Sequence, residues 1–284
     1  MLINIIHYIV LILYNKDNFK LRGGFLNSII DTIKKRNSLR NYKDMDISKE
    51  DLDVILECAM RAPTAGNMMA YSILVIKDEK KKKRLAGSCD NQRFIEKAPV
   101  LLVFLADLKK WYSYYENNDV KDFVKGVGGR FLRPSEGNLF LALEDAMIAA
   151  QNAVIAAESL GIGSCYIGDI MENIEYHKDL FNLPEYVFPV TMLTLGYYPD
   201  NYKDNTKDRF HKDFVVFEEE YKNLNNEEIE EMFKEKNKLF NEKNKYKAKN
   251  YAQSQYAFKI NSEFMNEMTR SVKEALKEWN GEEL

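Results

Sequence analysis

Along the chain, stretches with helical spacing of apolar residues alternate with short, almost continuous apolar runs. The stretch at 47–62, ISKEDLDVILECAMRA, carries apolar residues three and four positions apart, which predicts a helix. Ser48 begins it with Asp51 three residues on, an arrangement close to a capping box at a helix N-terminus. Pro63 follows and is expected to end the helix.

Three apolar runs predict strands: YSILVIKD at 71–78, VLLVFLAD at 100–107 and VFPVTMLTLGY at 187–197. The charged stretch EKKKKRLAG at 79–87 predicts a helix between the first two. This order of helices and strands predicts an α+β or mixed α/β sandwich. Residues 108–138, which include WYSYYE and the glycine-rich GVGGRFLRPSEG, are expected to be irregular and to shape a binding pocket.

A long helix is predicted at 139–161, LFLALEDAMIAAQNAVIAAESLG. Its surface is rich in alanine and apolar nearly all round, so we expect it to be buried, in part against its own copy in a dimer. Gly161 is the expected residue just past its C-terminus, and Gly163 is given the same helix-ending role.

Composition excludes several classes of function. The net charge is -3, which argues against a protein that binds nucleic acid by neutralising phosphates. The three cysteines contain no C-x-x-C pair and are odd in number, a pattern typical of free thiols in a reducing cytoplasm. The three histidines show no metal-binding spacing, so no metal site is predicted.

Both ends of the chain differ from the middle. The apolar start, MLINIIHYIVLILY at 1–14, is shorter than the roughly 20 residues that span a bilayer, and it lacks the features of a secretory signal. We expect an extension that packs on the body or on a partner chain, or a start codon placed too early; a membrane anchor is the less favoured reading. Beyond residue 218 the chain is rich in Glu, Lys and Asn, and 256–279 has the spacing of an amphipathic helix. This helix needs an apolar surface, either across a dimer or on its own subunit.

The segment KKRNSLRNY at 34–42 carries two arginines four positions apart, Arg36 and Arg40, with Ser38 between them. On a helix or at a helix end the two arginines would project from one side. Guanidinium groups match phosphate oxygens in pairs, so the segment is a candidate phosphate site. The alternative is a solvated basic patch at the end of an amphipathic helix.

Six stretches together have an order and spacing that identify a family. The chain resembles the nitroreductase family of FMN-dependent oxidoreductases from about Phe25 to about Phe217. The stretches are RNSLRNY, APTAGNMMAYSILVI, NQRFIEKAPVLLVF, AAQNAVIAAESLGIGSCYIGDI, LPEYVFPVTMLTLGY and KDRF.

The resemblance implies an α+β sandwich that forms an intertwined homodimer with FMN sites at the interface. It divides the chain into an N-terminal extension at 1–24, an FMN-binding domain at 25–217 and a helical extension at 218–284 that wraps the dimer. It also implies that Arg36, Ser38 and Arg40 hold the FMN phosphate and ribityl chain, with Arg209 and Lys207 reaching the same phosphate.

The other implied contacts concern the flavin ring. Pro63, Thr64 and Asn67 of APTAGN would contact it from the neighbouring subunit, although Pro, Gly and Asn are also common in ordinary turns. Met69 stands where the family often has a glutamine, and it is included among the cofactor-binding positions.

Two further sets complete the candidate site. Main-chain donors of Tyr166, Ile167, Gly168 and Asp169 would face the N5 edge of the flavin. Asn91 aligns with a ring-contacting position, with a surface loop as the equally weighted alternative. Asp145 would either face the flavin or serve the packing of its helix.

The implied activity passes electrons from NADH or NADPH through flavin N5 to a small electron-poor acceptor, such as a nitroaromatic compound or a quinone, in a ping-pong cycle. No catalytic side chain is assigned, because the cofactor carries the chemistry. Two alternatives stay open: a flavin-binding store or sensor without turnover, and a non-enzymatic interaction protein that docks through its charged tail.

Overall fold

The computed structural model describes residues 28–204 and 206–284. The expectation for the extension at 1–24 lies outside the described residues. Four strands form one antiparallel sheet in the order β1-β2-β4-β3. The strands are β1 (Tyr71–Ile76), β2 (Val100–Asp107), β3 (Ile162–Ile167) and β4 (Val187–Tyr197).

Helices cover both faces of the sheet, and three single 3₁₀ turns connect elements, at Ala65–Asn67, Asp169–Met171 and Lys212–Phe214. The helices are α1 (28–35), α2 (Lys49–Met60), α3 (Glu79–Ser88), α4 (Arg93–Lys97), α5 (Lys109–Glu116), α6 (Val120–Gly126), α7 (Glu136–Ser159), α8 (Ile174–Phe181), α9 (Asn226–Asn237), α10 (Tyr251–Lys259) and α11 (Glu263–Ala275).

Strand β2 explains why the fold has three layers. All eight of its residues are buried, as expected for a continuous apolar run in the middle of a sheet. Leu102 and Phe104 pack into the core shared with α2 and α7, whereas Leu101 and Val103 pack into a second core with α3 and α4. Alternate residues of one strand therefore enter two cores, and the predicted α+β sandwich is confirmed.

Helix α7 is the central helix of the fold. Small residues such as Ala142, Ala149 and Ala153 are fully buried and let α7 lie close to α2 and to the sheet. In the described part of the chain α7 is the one helix long and apolar enough to cross a membrane, and half of its most apolar window is buried in this core. Packing against the sheet explains why the buried half of this window is apolar.

Two regional expectations are wrong. The stretch 108–138 is mostly helical, because α5 and α6 occupy much of it. The structure also contains a strand that the apolar runs did not indicate, β3, which carries Gly163. Gly161 does follow the end of α7 with the positive φ of 74° typical of that position, but Gly163 is a strand residue and ends no helix.

The C-terminal extension packs on its own subunit at several points. Trp279 is only 1% exposed, with its ring centroid 6.4 Å from that of Tyr186. The last residues run beside the chain that precedes α7, where the Arg133 amide donates to the Glu282 carbonyl over 2.7 Å. Arg270 of α11 forms a bidentate pair with Glu175 of α8, at 2.7 and 2.8 Å. These contacts correspond to the own-subunit alternative, and wrapping of a second subunit stays a prediction.

Candidate active site

The arginine segment lies beside the edge strand β3. The Leu39 amide donates to the Ser164 carbonyl over 2.8 Å, and Ser38 forms a parallel bridge with Ser164. A second anchor follows where the Lys43 amide donates to the Tyr197 carbonyl over 2.9 Å. Arg36 lies at the end of α1, where its amide donates to the Thr32 carbonyl over 3.0 Å, and residues 37–40 continue beside β3 outside the helix. The motif therefore begins at a helix end, as one of the two expected conformations had it, and continues along the edge of the sheet.

The segment beyond α1 pairs with β3, and this separates the side chains of its residues. On extended backbone every second side chain points to the same side, so Ser38 and Arg40 share one face beyond the end of α1. Leu39 points the other way and is 2% exposed.

Two glycines make room for this segment. Gly163 and Gly196 are directly paired across β3 and β4. A methyl group on Gly163 would lie 2.6 Å from Leu39 Cδ2, and one on Gly196 would lie 2.5 Å from Tyr42 Cδ1. The paired glycines thus form a depression in the sheet that receives Leu39 and Tyr42, and the Tyr42 hydroxyl also donates to Thr194 Oγ1 over 2.7 Å.

Cationic side chains from two distant segments line one cavity. It has a volume of about 610 Å³, and its wall includes Arg36, Ser38, Arg40, Lys207 and Arg209. Three of these side chains, those of Arg36, Lys207 and Arg209, also line an adjoining cavity of about 470 Å³. The five residues that the sequence predicts for phosphate binding therefore lie together.

Neighbouring groups support this positive site. The Arg40 guanidinium lies 5.8 Å from the centroid of the Phe94 ring, a cation–π distance. Burial raises the pKa of the Cys165 thiol on β3, and the nearby Arg40, Ser38 and Arg36 offset part of that rise. The three motif side chains are thus close to the same point of β3.

One acid faces the adjoining cavity. Among the described residues lining the two cavities, Glu158 of α7 is the single carboxylate. Burial raises the pKa of Glu158, whereas the Tyr198 hydroxyl, which donates to it over 2.8 Å, and Arg36 lower it. The net charge of the cavity walls remains positive, which suits an anionic ligand.

A buried acid on helix α7 holds the loop at 63–69 through hydrogen bonds. Asp145 of α7 is 2% exposed and accepts the Ala65 amide over 2.9 Å and the Ala70 amide over 3.3 Å. In this structure Asp145 therefore fixes the loop, which is the packing alternative left open above. Thr64 adds a further bond by accepting the Met69 amide at Oγ1 over 3.1 Å.

This loop has an unusual backbone. Gly66, Asn67 and Met69 all have positive φ, at 57°, 57° and 49°. Left-handed conformations cost little for glycine but are uncommon for methionine, and such backbone concentrates at functional sites. Pro63, Asn67 and Met69 are exposed, so they are available for contact.

Within one chain the loop lies apart from the arginines. It leads into β1, at the opposite edge of the sheet from β3. Three strand spacings separate those edges, or about 14 Å. Pro63, Thr64, Asn67 and Met69 do not line the cationic cavities, and Asn91 does not either. Asn91 is an exposed residue with φ of 53° between α3 and α4.

The segment 166–169 lies at the end of β3, beyond the arginine motif. Tyr166 lines the smaller cavity, and Ile167 is buried as the last residue of the strand. Nothing lies within 4 Å of the position a methyl group would take on Gly168, so that side of the backbone is open. Asp169 begins the following 3₁₀ turn and accepts a bond from Gln92 Nε2 over 2.8 Å.

A sequence model of the Nitroreductase family matches residues 33–197. This chain belongs to the nitroreductase family. The predicted family, fold class and oxidoreductase class are thereby confirmed. The matched range covers the whole sheet and the arginine motif, and it ends before Lys207 and Arg209.

Individual nitroreductase relatives are similar over most of the chain. An "FMN reductase (NADPH)" of Bacillus subtilis is 33% identical over 204 residues, 72% of this chain and 78% of the relative. A "CR(VI) reductase" of a Pseudomonas species is 35% identical over 202 residues, 71% of this chain and 77% of the relative. The solved structure of B. megaterium NfrA2 has a TM-score of 0.75 at 28% identity and covers 90% of this chain and 98% of its own.

Sequence reasoning missed several residues that build the site. Gln92 donates a hydrogen bond to Asp169, and the Phe94 ring lies beside the Arg40 guanidinium. The pairing of Gly163 with Gly196 has no local signature, because it depends on the register of β3 against β4. The one available signal was the glycine itself, because a glycine inside a strand often marks a close approach.

Proposed function

We propose that this protein is an FMN-dependent oxidoreductase that takes electrons from NADH or NADPH and passes them to a small electron-poor acceptor in a ping-pong cycle. The names of the relatives include FMN reductase and point to the same cofactor and donor. A nitroaromatic compound or a quinone is the proposed class of acceptor.

The observation that carries the proposal is the convergence of five cationic residues on one cavity. Arg36 and Arg40 lie more than 160 positions before the other three in the sequence. The other three are Lys203, Lys207 and Arg209, and Ser38 lines the same cavity. Guanidinium and ammonium groups form short, strong hydrogen bonds with phosphate oxygens. This donor set fits the terminal phosphate of FMN.

The remaining residues are proposed to orient the flavin. The amides of Tyr166, Ile167, Gly168 and Asp169 would face its N5 edge, where the open side of Gly168 permits close approach. Asn91 is also proposed to contact the flavin ring. When bound, FMN supplies a nitrogen, N5, that accepts hydride from reduced nicotinamide and returns electrons to an acceptor. The positive cavity would favour bound groups that gain negative charge.

A second copy of the chain is proposed to complete each site. Pro63, Thr64, Asn67 and Met69 lie at the far edge of the sheet, so a flavin beside β3 would meet this loop only from another subunit. The outer face of α7 offers apolar residues for such contact: Phe140 is 64% exposed, and Met147 and Ile148 are each 41% exposed. A homodimer would bury them. We place the enzyme in the cytoplasm, where its free cysteines would stay reduced.

The decisive experiment is the visible spectrum of the purified protein before and after anaerobic addition of NADH or NADPH. We expect a flavin spectrum that is bleached by at least one nicotinamide and restored by an electron-poor acceptor. A yellow protein that neither nicotinamide bleaches would favour the store or sensor. A colourless protein that takes up no added FMN would contradict the proposal and favour an interaction protein.

A further inference from the structure

The segment that carries Lys207 and Arg209 has no regular secondary structure. Between the end of β4 at Tyr197 and the 3₁₀ turn at Lys212–Phe214, the described residues form no helix or strand. Lys207 and Arg209 are both exposed. A cationic segment of this kind must be ordered when it binds an anion, and the entropy lost in ordering lowers affinity.

Helix α9 contacts this segment between and beside its two cations. The ring of Phe233 lies 5.1 Å from that of Phe210, edge to face, with 67° between the planes. Lys236 reaches the same place: its ammonium lies 5.5 Å from the centre of the Phe210 ring and 3.5 Å from the Asp208 carbonyl oxygen. Phe233 and Lys236 are three positions apart, so they share one face of α9.

Helix α9 has stabilising groups at both of its ends. Asn225 caps its N-terminus by accepting the Glu228 amide over 3.0 Å, while Glu228 in turn accepts the Asn225 amide over 3.0 Å. Acidic residues occupy its first turn and basic residues its last, which complements the helix dipole. A short helix that is capped at one end and packed through Phe233 can serve as a fixed support.

We propose that α9 is a positioning element for the anion site: Phe233 and Lys236 hold residues 208–210 so that Lys207 and Arg209 face the cavity before the ligand arrives. Phe233 and Lys236 are positioning residues and touch no ligand themselves. The inference rests on the proposed binding of FMN, and it gives the start of the C-terminal extension a role in cofactor affinity. A pre-ordered site raises the binding-competent fraction of the protein, and apparent affinity scales with that fraction.

The test is FMN titration of flavin-free protein, followed by quenching of flavin fluorescence, together with hydrogen exchange of residues 206–210 without FMN. Phe233→Ala should raise the Kd for FMN about ten-fold and accelerate exchange in that segment. Phe233→Leu should recover part of both effects. Lys234→Ala is the matched control, because Lys234 is on the same helix and pairs with Glu231 at 3.0 Å; it should leave both readouts at wild-type values.

A further variant separates positioning from charge. Lys236→Gln removes the charge but keeps a donor for the Asp208 carbonyl, so it should stay closer to the wild-type Kd than Lys236→Ala. Wild-type Kd and exchange rates in Phe233→Ala, or equal losses in the two Lys236 variants, would overturn the proposal. Failure of the wild-type protein to bind FMN would overturn the proposed function itself, and the exchange rates would then still show whether α9 orders the segment.

Discussion

Arg36 lies at the end of α1, and Arg40 lies on the segment that follows along β3. Arg36, Ser38 and Arg40 line the cavity, while the Leu39 side chain anchors the segment by entering the depression at Gly163. The sequence identified these residues through a family resemblance. The conformation that brings them together follows from pairing with β3, which residue types alone do not specify.

Removal of either arginine should weaken cofactor retention. Hydrogen bonds to charged groups contribute roughly 1.5–3 kcal/mol, so Arg36→Ala or Arg40→Ala should raise the FMN Kd by about ten-fold or more. Lys207→Ala should cost less, because an ammonium lacks the planar pair of donors. Arg84→Ala is the control, since this guanidinium packs 5.1 Å from the Tyr176 ring outside the cavity. Full flavin loading of both arginine variants would contradict the phosphate assignment.

Glu172 is a buried carboxyl group with an unusual titration. It is 6% exposed, and its Oε1 atom has no hydrogen-bond partner. Burial, together with the acidic neighbours Asp169, Asp90 and Glu267, raises its pKa to about 7. A folded-state pKa above the unfolded one means that the folded protein holds the proton longer. Stability should therefore fall as pH rises from about 4.5 to about 7.

Glu172→Gln should remove this pH dependence. The neutral amide mimics the protonated acid, so the variant should match the wild type near pH 4, below the ordinary pKa of the group, and exceed its unfolding free energy at pH 8 by on the order of 1–3 kcal/mol. Urea denaturation at both pH values measures this. Glu175→Gln is a control with the opposite sign, because hydrogen bonds from Arg270 lower the pKa of Glu175 to about 2. A variant that follows the wild type at both pH values would show that Glu172 is not the group responsible.

Among elements, those with strong local patterns were predictable. Ser48 does accept the Asp51 amide, over 3.0 Å, and the helix it caps begins at the next residue. β2 is continuously apolar, and its assignment needed no tertiary information. β3 was missed because IGSCYI is short, contains glycine and serine, and directly follows a helix. It is a strand because β4 pairs with it along six residues.

The region between β2 and α7 was missed for another reason. Glycine-rich sequence suggested irregular backbone, but the preceding KKWYSYYE forms α5. Tertiary contacts stabilise this helix: Trp111 Nε1 donates to the Met68 carbonyl over 2.9 Å, and the Tyr112 ring lies 5.0 Å from that of Tyr186. Tertiary packing of aromatic residues therefore stabilises the helical conformation of α5, which its local sequence did not predict.

The close approach of the arginine segment to β3 predicts the effect of a larger side chain at Gly163. Gly163→Ala would place a methyl group 2.6 Å from Leu39 Cδ2 and 2.8 Å from Tyr198 Cζ. The segment must then shift, which should cost about 1–3 kcal/mol of unfolding free energy. FMN affinity should fall with it, because Ser38 and Arg40 move with Leu39.

Gly87→Ala is the matched control for this variant. Nothing lies within 4 Å of the added methyl group, and alanine favours a helix, so α3 should gain roughly 0.5–1 kcal/mol. Urea denaturation and FMN titration of both variants measure the difference. Equal behaviour of Gly163→Ala and the wild type in both assays would contradict the role given to the glycine pair.

At the scale of the whole molecule, the proposed flavin-binding residues lie at two opposite edges of the sheet. The cationic cavity lies at the β3 edge and the 63–69 loop at the β1 edge, so the two sets of residues proposed to hold the flavin lie on opposite sides of one chain. Two copies related by a two-fold axis can join each set to its complement. Both sets were predicted from the family resemblance, and their separation within one chain supports the proposed homodimer.

The C-terminal extension should affect assembly as well as stability. Deletion of the chain after residue 220 removes α9 and the whole of 256–279, the amphipathic stretch that ends at the buried Trp279 and for which docking across the dimer stays a prediction. We expect the truncated protein to dissociate at higher concentrations in sedimentation experiments and to release flavin at a lower temperature.

Trp279→Ala serves as the control. Loss of this buried ring should cost about 3–5 kcal/mol within one subunit while leaving dimer affinity near the wild-type value. An extension that clamps the dimer therefore predicts that only truncation weakens assembly. Unchanged dimer affinity and flavin-release temperature after truncation would rule out the clamp and leave the extension as a support for its own subunit.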